Sequence, residues 1–384
     1  MQSLFIELLQ VSLGSRDQLS RVPTTREWED IYDEADRQAV LGIMLEGLQR
    51  CMVHDERFMA NLPIDLKLEW IGDIQMIEEQ NRLMSKACEE IIEQLENDGF
   101  QCCVLKGQAN HRYYPEAMRM RRSAGDIDIW VVPMEEGICK KGNVRRVLEY
   151  VEKKQELTGL CWLHCNYDHG EGIPVEIHFR PSFMNEPCKN KRFQKYFADI
   201  KRFVTREKVD GVELPVMKVE EDVIYQMNHI YRHLIDEGVG MRQIVDYYFL
   251  LCKLNGERIA NSETIIHHTS AIIHQLRMNK FAAALMYVMK EICGLDQHYL
   301  LCEPNEKEGK FLLNEILTAG NFGQSDPRMS EINHTNVPQR QISQAWRRYK
   351  RNMRFLTSYP GEVIWEPVAR VNHFAWKKLK LWRV

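Results

Sequence analysis

The period of the apolar positions changes twice along the 384 residues of this chain. Over the first hundred residues the spacing is helical throughout. Thr24 followed by Glu27 is a capping-box pattern, so a helix is expected to open there and carry Trp28, Ile31 and Ala35. A second apolar helix is expected from about Val40 to Leu48. Pro63 introduces the longest periodic segment, in which Trp70, Ile74, Ile77, Met84, Ala87, Ile91 and Leu95 form one apolar face while Glu78, Glu79, Glu89, Glu90 and Glu93 face water. Asn97-Asp98-Gly99 stops it.

The period then falls to two. Phe100 to Leu105 reads as a short apolar strand, broken by Lys106-Gly107 before a short helix around Gln108 to Tyr114 that Pro115 closes. Arg119, Arg121 and Arg122 lead into Gly125-Asp126-Ile127-Asp128-Ile129-Trp130-Val131-Val132. On a strand this alternation points Asp126 and Asp128 to one face and Ile127 and Ile129 to the other. Pro133 with Glu135 and Glu136 marks a turn or helix start, and Val144, Val147, Leu148 and Val151 predict a helix. Leu160 to Tyr167 and Val175 to Arg180 predict a hairpin joined by His169-Gly170-Glu171-Gly172.

From about Asn190 helices are expected again, strongest over Lys218 to Leu234, Met241 to Leu251 and Phe281 to Ile292. Glu303 to Lys310 and Ser325 to Gln339 read as polar loops or linkers. The chain has no internal repeat and no low-complexity segment. This order predicts an α+β protein in three regions: a helical region 1–98 packing on the core, a sheet core 99–182, and a helical region 183–384 that ends in a basic, aromatic tail.

Composition narrows the class. With 44% hydrophobic and 28% charged residues the chain is neither disordered nor fibrous. No apolar run reaches the roughly 20 residues that span a bilayer, and the N-terminal Met1-Gln2-Ser3-Leu4-Phe5-Ile6-Glu7 lacks a basic leader, so a cytoplasmic location is expected. Eleven scattered cysteines, several in apolar contexts such as Cys102, Cys103 and Cys252, fit reduced, buried thiols. The net charge of −4 hides an asymmetry: 11 Lys and Arg stand against Glu362 and Glu366 after residue 339, so the tail carries +9 and the remainder −13. That tail is a candidate contact for an anionic surface or partner.

The chemistry centres on the Asp126 strand. Two carboxylates one strand repeat apart repel each other and cannot be buried bare, so the pair wants a cation. Oxygen ligands on a rigid strand suit Mg²⁺ completed by phosphate oxygens and water. Lys106-Gly107, at a strand-to-helix turn, offers a cation and free backbone N–H groups where a phosphate can lie. Glu176 shares the face of Asp126 and Asp128 if its strand pairs beside theirs.

Leu105-Lys106-Gly107, Tyr113-Tyr114-Pro115, the arginine-led Asp126-Ile127-Asp128-Ile129-Trp130-Val131, Glu176-Ile177-His178-Phe179-Arg180-Pro181, and Glu221-Asp222 with His229, His233 and Met241-Arg242-Gln243-Ile244-Val245-Asp246 form a set. Together they resemble the bacterial "uncharacterised nucleotidyltransferase" family of the DNA polymerase beta-like nucleotidyltransferase superfamily, over roughly residues 30 to 290. The resemblance implies a small mixed sheet flanked by helices. It further implies Mg²⁺ or Mn²⁺ held by Asp126, Asp128 and Glu176, with Glu176 acting as base, and a nucleoside triphosphate such as ATP against the Gly107 turn. Lys106, Arg121 and Arg122 would then neutralise the triphosphate. The Gly-Ser usual at that turn in the superfamily is Gly107-Gln108 here, and the gap from Gly107 to Asp126 is longer than usual; both departures are typical of the subfamily.

The expected activity is metal-dependent transfer of a nucleoside monophosphate from a nucleoside triphosphate to a hydroxyl of an unidentified acceptor, whether small molecule, sugar or protein. The alternatives are a catalytically weak nucleotide-binding or scaffolding protein and a metal-dependent phosphodiester hydrolase. Cys161, His164, Cys165 and His169 resemble a zinc cluster, yet on a strand of period two the first three cannot all converge. His229 and His233, one helical turn apart, read as buried histidines or a substrate-facing wall. The tail aromatics, including Trp346, Tyr349, Phe374, Trp376 and Trp382, are expected to pack on the core beneath Lys and Arg stems, with membrane or nucleic-acid contact as the competing readings.

Overall fold

The computed structural model describes residues 3–54, 57, 60–134, 141–170, 172–257, 262–329 and 337–383. The chain opens with helices α1 (Leu4–Leu13), α2 (Thr25–Arg37), α3 (Leu41–His54) and α4 (Ile64–Asn97). The capping box is formed: the Thr24 side chain accepts from Glu27 N while the Glu27 carboxylate accepts from Thr24 N. There follow β1 (Phe100–Val104), a 3₁₀ segment Gly107–Tyr113, α5 (Glu116–Arg119), β2 (Ile127–Pro133), α6 (Lys141–Lys154), β3 (His164–Asp168) and β4 (Pro174–His178). Then come α7 (Pro187–Tyr196), α8 (Ile200–Phe203), β5 (Val204–Val209), β6 (Val212–Met217), α9 (Val219–Asp236), α10 (Met241–Glu257), α11 (Ser262–Gln275), α12 (Asn279–Glu291), α13 (Glu306–Ala319), α14 (Val337–Phe355) and α15 (Pro360–Lys378).

The six strands form one mixed sheet in the order β3-β4-β2-β1-β6-β5. β1 pairs antiparallel with β2, β2 parallel with β4, and β3 antiparallel with β4, which is the hairpin expected from the pattern. Both faces are covered. Ile127, Ile129 and Val131 join Cys102 and Val104 against Met84, Ile91 and Leu95 of α4 and Val144, Val147, Leu148 and Val151 of α6. Trp130, Val132 and Cys103 face the other way, into a core built with Phe193, Phe197 and the buried sides of α9 and α10. Helix α4 belongs to both cores, because Trp70 and Ile74 in its first half pack with the helices and its second half packs under the sheet.

Three expectations are corrected. Helices alone were expected after about Asn190, yet β5 and β6 extend the sheet on the far side of β1, with Val216 paired in parallel to Val104. Their signal is Val209-Asp210-Gly211-Val212: Asp210 and Gly211 both take positive φ, 50° and 92°, as a two-residue hairpin turn of mirror type requires. Glu303 to Lys310 is not a loop throughout. The Asn305 side chain accepts from Glu308 N and starts α13 at Glu306, so the polar residues are a helix cap and an acidic first turn. In the segment Ser325 to Gln339, Pro327–Met329 is 3₁₀ and α14 already begins at Val337. Residues 330–336 of that segment, and the expected turns at Glu135, Glu136 and Glu171, lie outside the described residues.

The tail is divided. Trp376 and Trp382 are buried against the sheet's α4/α6 side as expected, whereas Trp346, Tyr349 and Phe374 are exposed, the first two stacked on each other at 5.3 Å. Arg351 of the tail turns inward and donates to the carbonyls of Asp236 and Leu234, satisfying the C-terminal end of α9. No helix among the described residues is long and apolar enough to cross a membrane.

Candidate functional site

Backbone pairing assembles the site. The ladder between β1 and β2 continues one residue past β1, where Leu105 N donates to Asp128 O at 3.0 Å. The chain then turns sharply at Gly107, which has φ +62° and lies so close to Asp126 that an added Cβ would stand 3.1 Å from the Asp126 carbonyl oxygen. A residue with a side chain is strained in that conformation, so glycine is what allows β1 to end against the start of β2. The turn aims Lys106 across the strand: its Nζ lies 3.2 Å from Asp126 Oδ1 and 3.0 Å from Asp128 Oδ2. Asp126 immediately precedes β2 and is partly exposed, while Asp128 lies within it and is fully buried.

Glu176 stands directly across from Asp128 in the parallel β2–β4 pair, and His178 stands across from Trp130. Ligating atoms of Asp126, Asp128 and Glu176 all lie within 4.8 Å of one another. His178 Nε2 sits between the two inner carboxylates, 2.9 Å from Asp128 Oδ1 and 3.1 Å from Glu176 Oε2, and His164 Nδ1 approaches Glu176 Oε2 at 2.7 Å.

The charges follow from this packing. Burial alone would raise the Asp128 carboxyl, but Lys106 and His178 outweigh it and hold it below its ordinary range. Burial would also raise Glu176, and His164 and His178 hold it well below that range. Desolvation opposes both histidines, yet Asp128 and Glu176 raise His178, and Cys161 together with Glu176 raises His164 to about 10. Lys106 is likewise raised, its desolvation outweighed by Asp126, Asp128 and Glu176.

The two arginines expected at the triphosphate part company. Arg121 pairs with Glu78 of α4 at 3.2 Å and reaches toward Glu46 of α3, away from the carboxylates. Arg122 is buried and makes a forked pair with Asp246 of α10, at 2.6 and 2.8 Å, beside a small cavity that Lys106, Gly107, Asp126 and His229 also line. Asp246 in turn accepts from the Tyr114 hydroxyl at 2.7 Å.

Residues that sequence reasoning assigned no role complete the wall. Arg242 donates to the carbonyls of Ser123 and Ala124 at 3.1 and 3.2 Å and so holds the approach to Asp126. Asn110 and Gln226 hydrogen-bond each other at 2.8 Å in the same wall. The signal for Arg242 and Asp246 was their place in the Met241–Asp246 run; nothing local marked Asn110 or Gln226. His229 lines the cavity, and its neighbour His233 approaches Glu237 at 3.3 Å. The suspected zinc set does not converge: Cys165 is buried in the α4/α6 core and His169 pairs with Glu90 at 3.2 Å, leaving only Cys161 beside His164.

Residues 24–294 match the family described as uncharacterised nucleotidyltransferase, and the chain belongs to that family. No curated protein matches it. Among solved structures it is similar to an antigenic nucleotidyltransferase-like protein from Paracoccidioides brasiliensis, at 14% identity and a TM-score of 0.30, over 50% of this chain and 88% of that one.

Proposed function

We propose that the chain is a metal-dependent nucleotidyltransferase that moves a nucleoside monophosphate from a nucleoside triphosphate, ATP among the candidates, to a hydroxyl of a small molecule, sugar or protein. The observation that carries this reading is the convergence of Asp126, Asp128 and Glu176 with Lys106 beneath the Gly107 turn. Three hard carboxylate donors within reach of one another fit Mg²⁺ or Mn²⁺, and Asp126, Asp128 and Glu176 would hold it. When bound, such an ion supplies charge neutralisation for an in-line phosphoryl displacement.

The chain's own residues supply the rest. Lys106, released from its carboxylates, provides positive charge beside the cavity for the triphosphate, and the buried Arg122, paired with Asp246, lines the same cavity. Gly107 lines the same cavity and brings bare backbone to it. Glu176 accepts the proton of the acceptor hydroxyl as that oxygen bonds to the α-phosphorus; its histidine neighbours keep it ionised and also lower its basicity. The bond from the α-phosphorus to its bridging oxygen breaks, and pyrophosphate leaves. A cytoplasmic setting agrees with the free thiols of the described cysteines.

A second reading rests on Lys106, whose ammonium already compensates both aspartates, as in a protein that binds nucleotide without turning it over. The test is incubation with α-labelled nucleoside triphosphates, Mg²⁺ or Mn²⁺ and a panel of hydroxyl acceptors. Pyrophosphate release with label transferred to acceptor, abolished in Asp128→Asn, supports transfer. Tight calorimetric binding without pyrophosphate supports the second reading, and free nucleoside monophosphate without labelled acceptor makes the chain a hydrolase instead.

A further inference from the structure

The three-carboxylate cluster is not the only set of ligand atoms at this edge of the sheet. In the β3–β4 hairpin, His164 pairs with His178 and Asn166 with Glu176, so His164, Glu176 and His178 present their side chains on the same face as Asp128. His164 Nδ1 and His178 Nε2 lie 2.7 and 3.1 Å from the same oxygen, Glu176 Oε2, and ligating atoms of all three residues fall within 4.8 Å of one another. The two imidazole rings meet edge to face with centroids 4.8 Å apart.

We propose that His164, Glu176 and His178 form a second metal position, distinct from the aspartate position and sharing Glu176 with it, that takes an imidazole-preferring first-row divalent ion of the Zn²⁺ class. Bonds of about 2.0 to 2.1 Å at tetrahedral angles hold ligand atoms roughly 3.3 Å apart, so the two imidazole nitrogens need draw back from Glu176 Oε2 by only roughly 0.2 to 0.6 Å to admit the ion. Two nitrogen donors select against Mg²⁺, which demands oxygen ligands in octahedral array, and favour Zn²⁺ or Co²⁺. Two His and one Glu leave a fourth position open, the arrangement of sites that bind water or substrate. Cys161 packs against His164, its Sγ accepting from the His164 backbone N–H at 3.4 Å. The competing account is a histidine–carboxylate ion-pair network with no ion. Such an ion would bind there whatever reaction the aspartate position serves.

The experiment uses the full chain, stripped with chelator and titrated with Co²⁺ while the visible absorption is recorded. One equivalent is expected to bind with the intense d–d bands of a four-coordinate site. Those bands should survive a large excess of Mg²⁺ and the substitution Asp126→Asn. His164→Ala should weaken binding by at least about tenfold. His164 is partly exposed, so its truncation leaves the core intact, and a thermal melt of His164→Ala and His164→Gln verifies that both fold. Featureless spectra, displacement by Mg²⁺, or Co²⁺ binding lost in Asp126→Asn but unchanged in a folded His164→Ala would each overturn the proposal.

Discussion

The Lys106 ammonium lies 3.0 Å from Oδ2 of Asp128, a carboxylate with no access to solvent, and in doing so it occupies the flank of the carboxylate cluster that a metal ion would share. An internal cation therefore keeps the pair ionised until something else does. Replacing it with a neutral side chain of similar length leaves Asp126 and Asp128 facing each other with only His178 in support. Lys106→Met is expected to lower unfolding free energy by about 3 kcal/mol without divalent ions. Because the carboxylates then lack a resident counter-ion, Mn²⁺ should raise the thermal midpoint of the variant more than that of the wild type. Equal shifts in a thermal-shift titration would contradict this competition.

The forked Arg122–Asp246 pair ties the approach to β2 to helix α10, with both side chains buried. Asp246→Asn strands a buried guanidinium and should cost about 3 to 5 kcal/mol in urea denaturation. The double variant Arg122→Met/Asp246→Leu should be more stable than Asp246→Asn alone, because no charge is left unpaired. Strict additivity of the single substitutions would mean that the pair carries no coupling.

His229 is pushed well below its ordinary pKa by burial first, then by the neighbouring His233, Lys106 and Arg232. The folded chain keeps it neutral where the unfolded chain takes up a proton, so its contribution is complete above about pH 6.5 and declines as pH falls, by up to about 1.4 kcal/mol per unit. His164 and His178 are shifted the opposite way and mask this in the wild type alone. They cancel when stability is compared with His229→Gln, so the stability of the wild type minus that of the variant should fall steadily between pH 7 and pH 5. A difference that does not change with pH would show that His229 takes up its proton as readily in the folded chain as in the unfolded one.

Local signals carried the elements wherever the local chemistry was also the deciding chemistry. The stripe from Trp70 to Leu95 needed no partner to read as a helix, and Ile127, Ile129 and Val131 face one core because alternation allows nothing else. β5 was hidden for the converse reason. Its Thr205-Arg206-Glu207-Lys208 lies at the sheet edge and is largely solvated, so it lacks the apolar alternation that marks a strand with a buried face. Asn305 was hidden because a helix cap and a polar loop use the same residues.

That two carboxylates share a strand face after a lysine–glycine turn follows from local residues alone, since side-chain period and glycine's freedom at positive φ are properties of a few neighbouring positions. Tertiary structure alone decided what those carboxylates meet. The parallel register of β2 with β4 sets Glu176 against Asp128, and the hairpin register sets His164 against His178. Packing of α10 diverted Arg122 to Asp246, while α4 drew Arg121 away to Glu78. Such pairings join residues far apart in the chain, and their strength depends on how completely the fold removes water from between them.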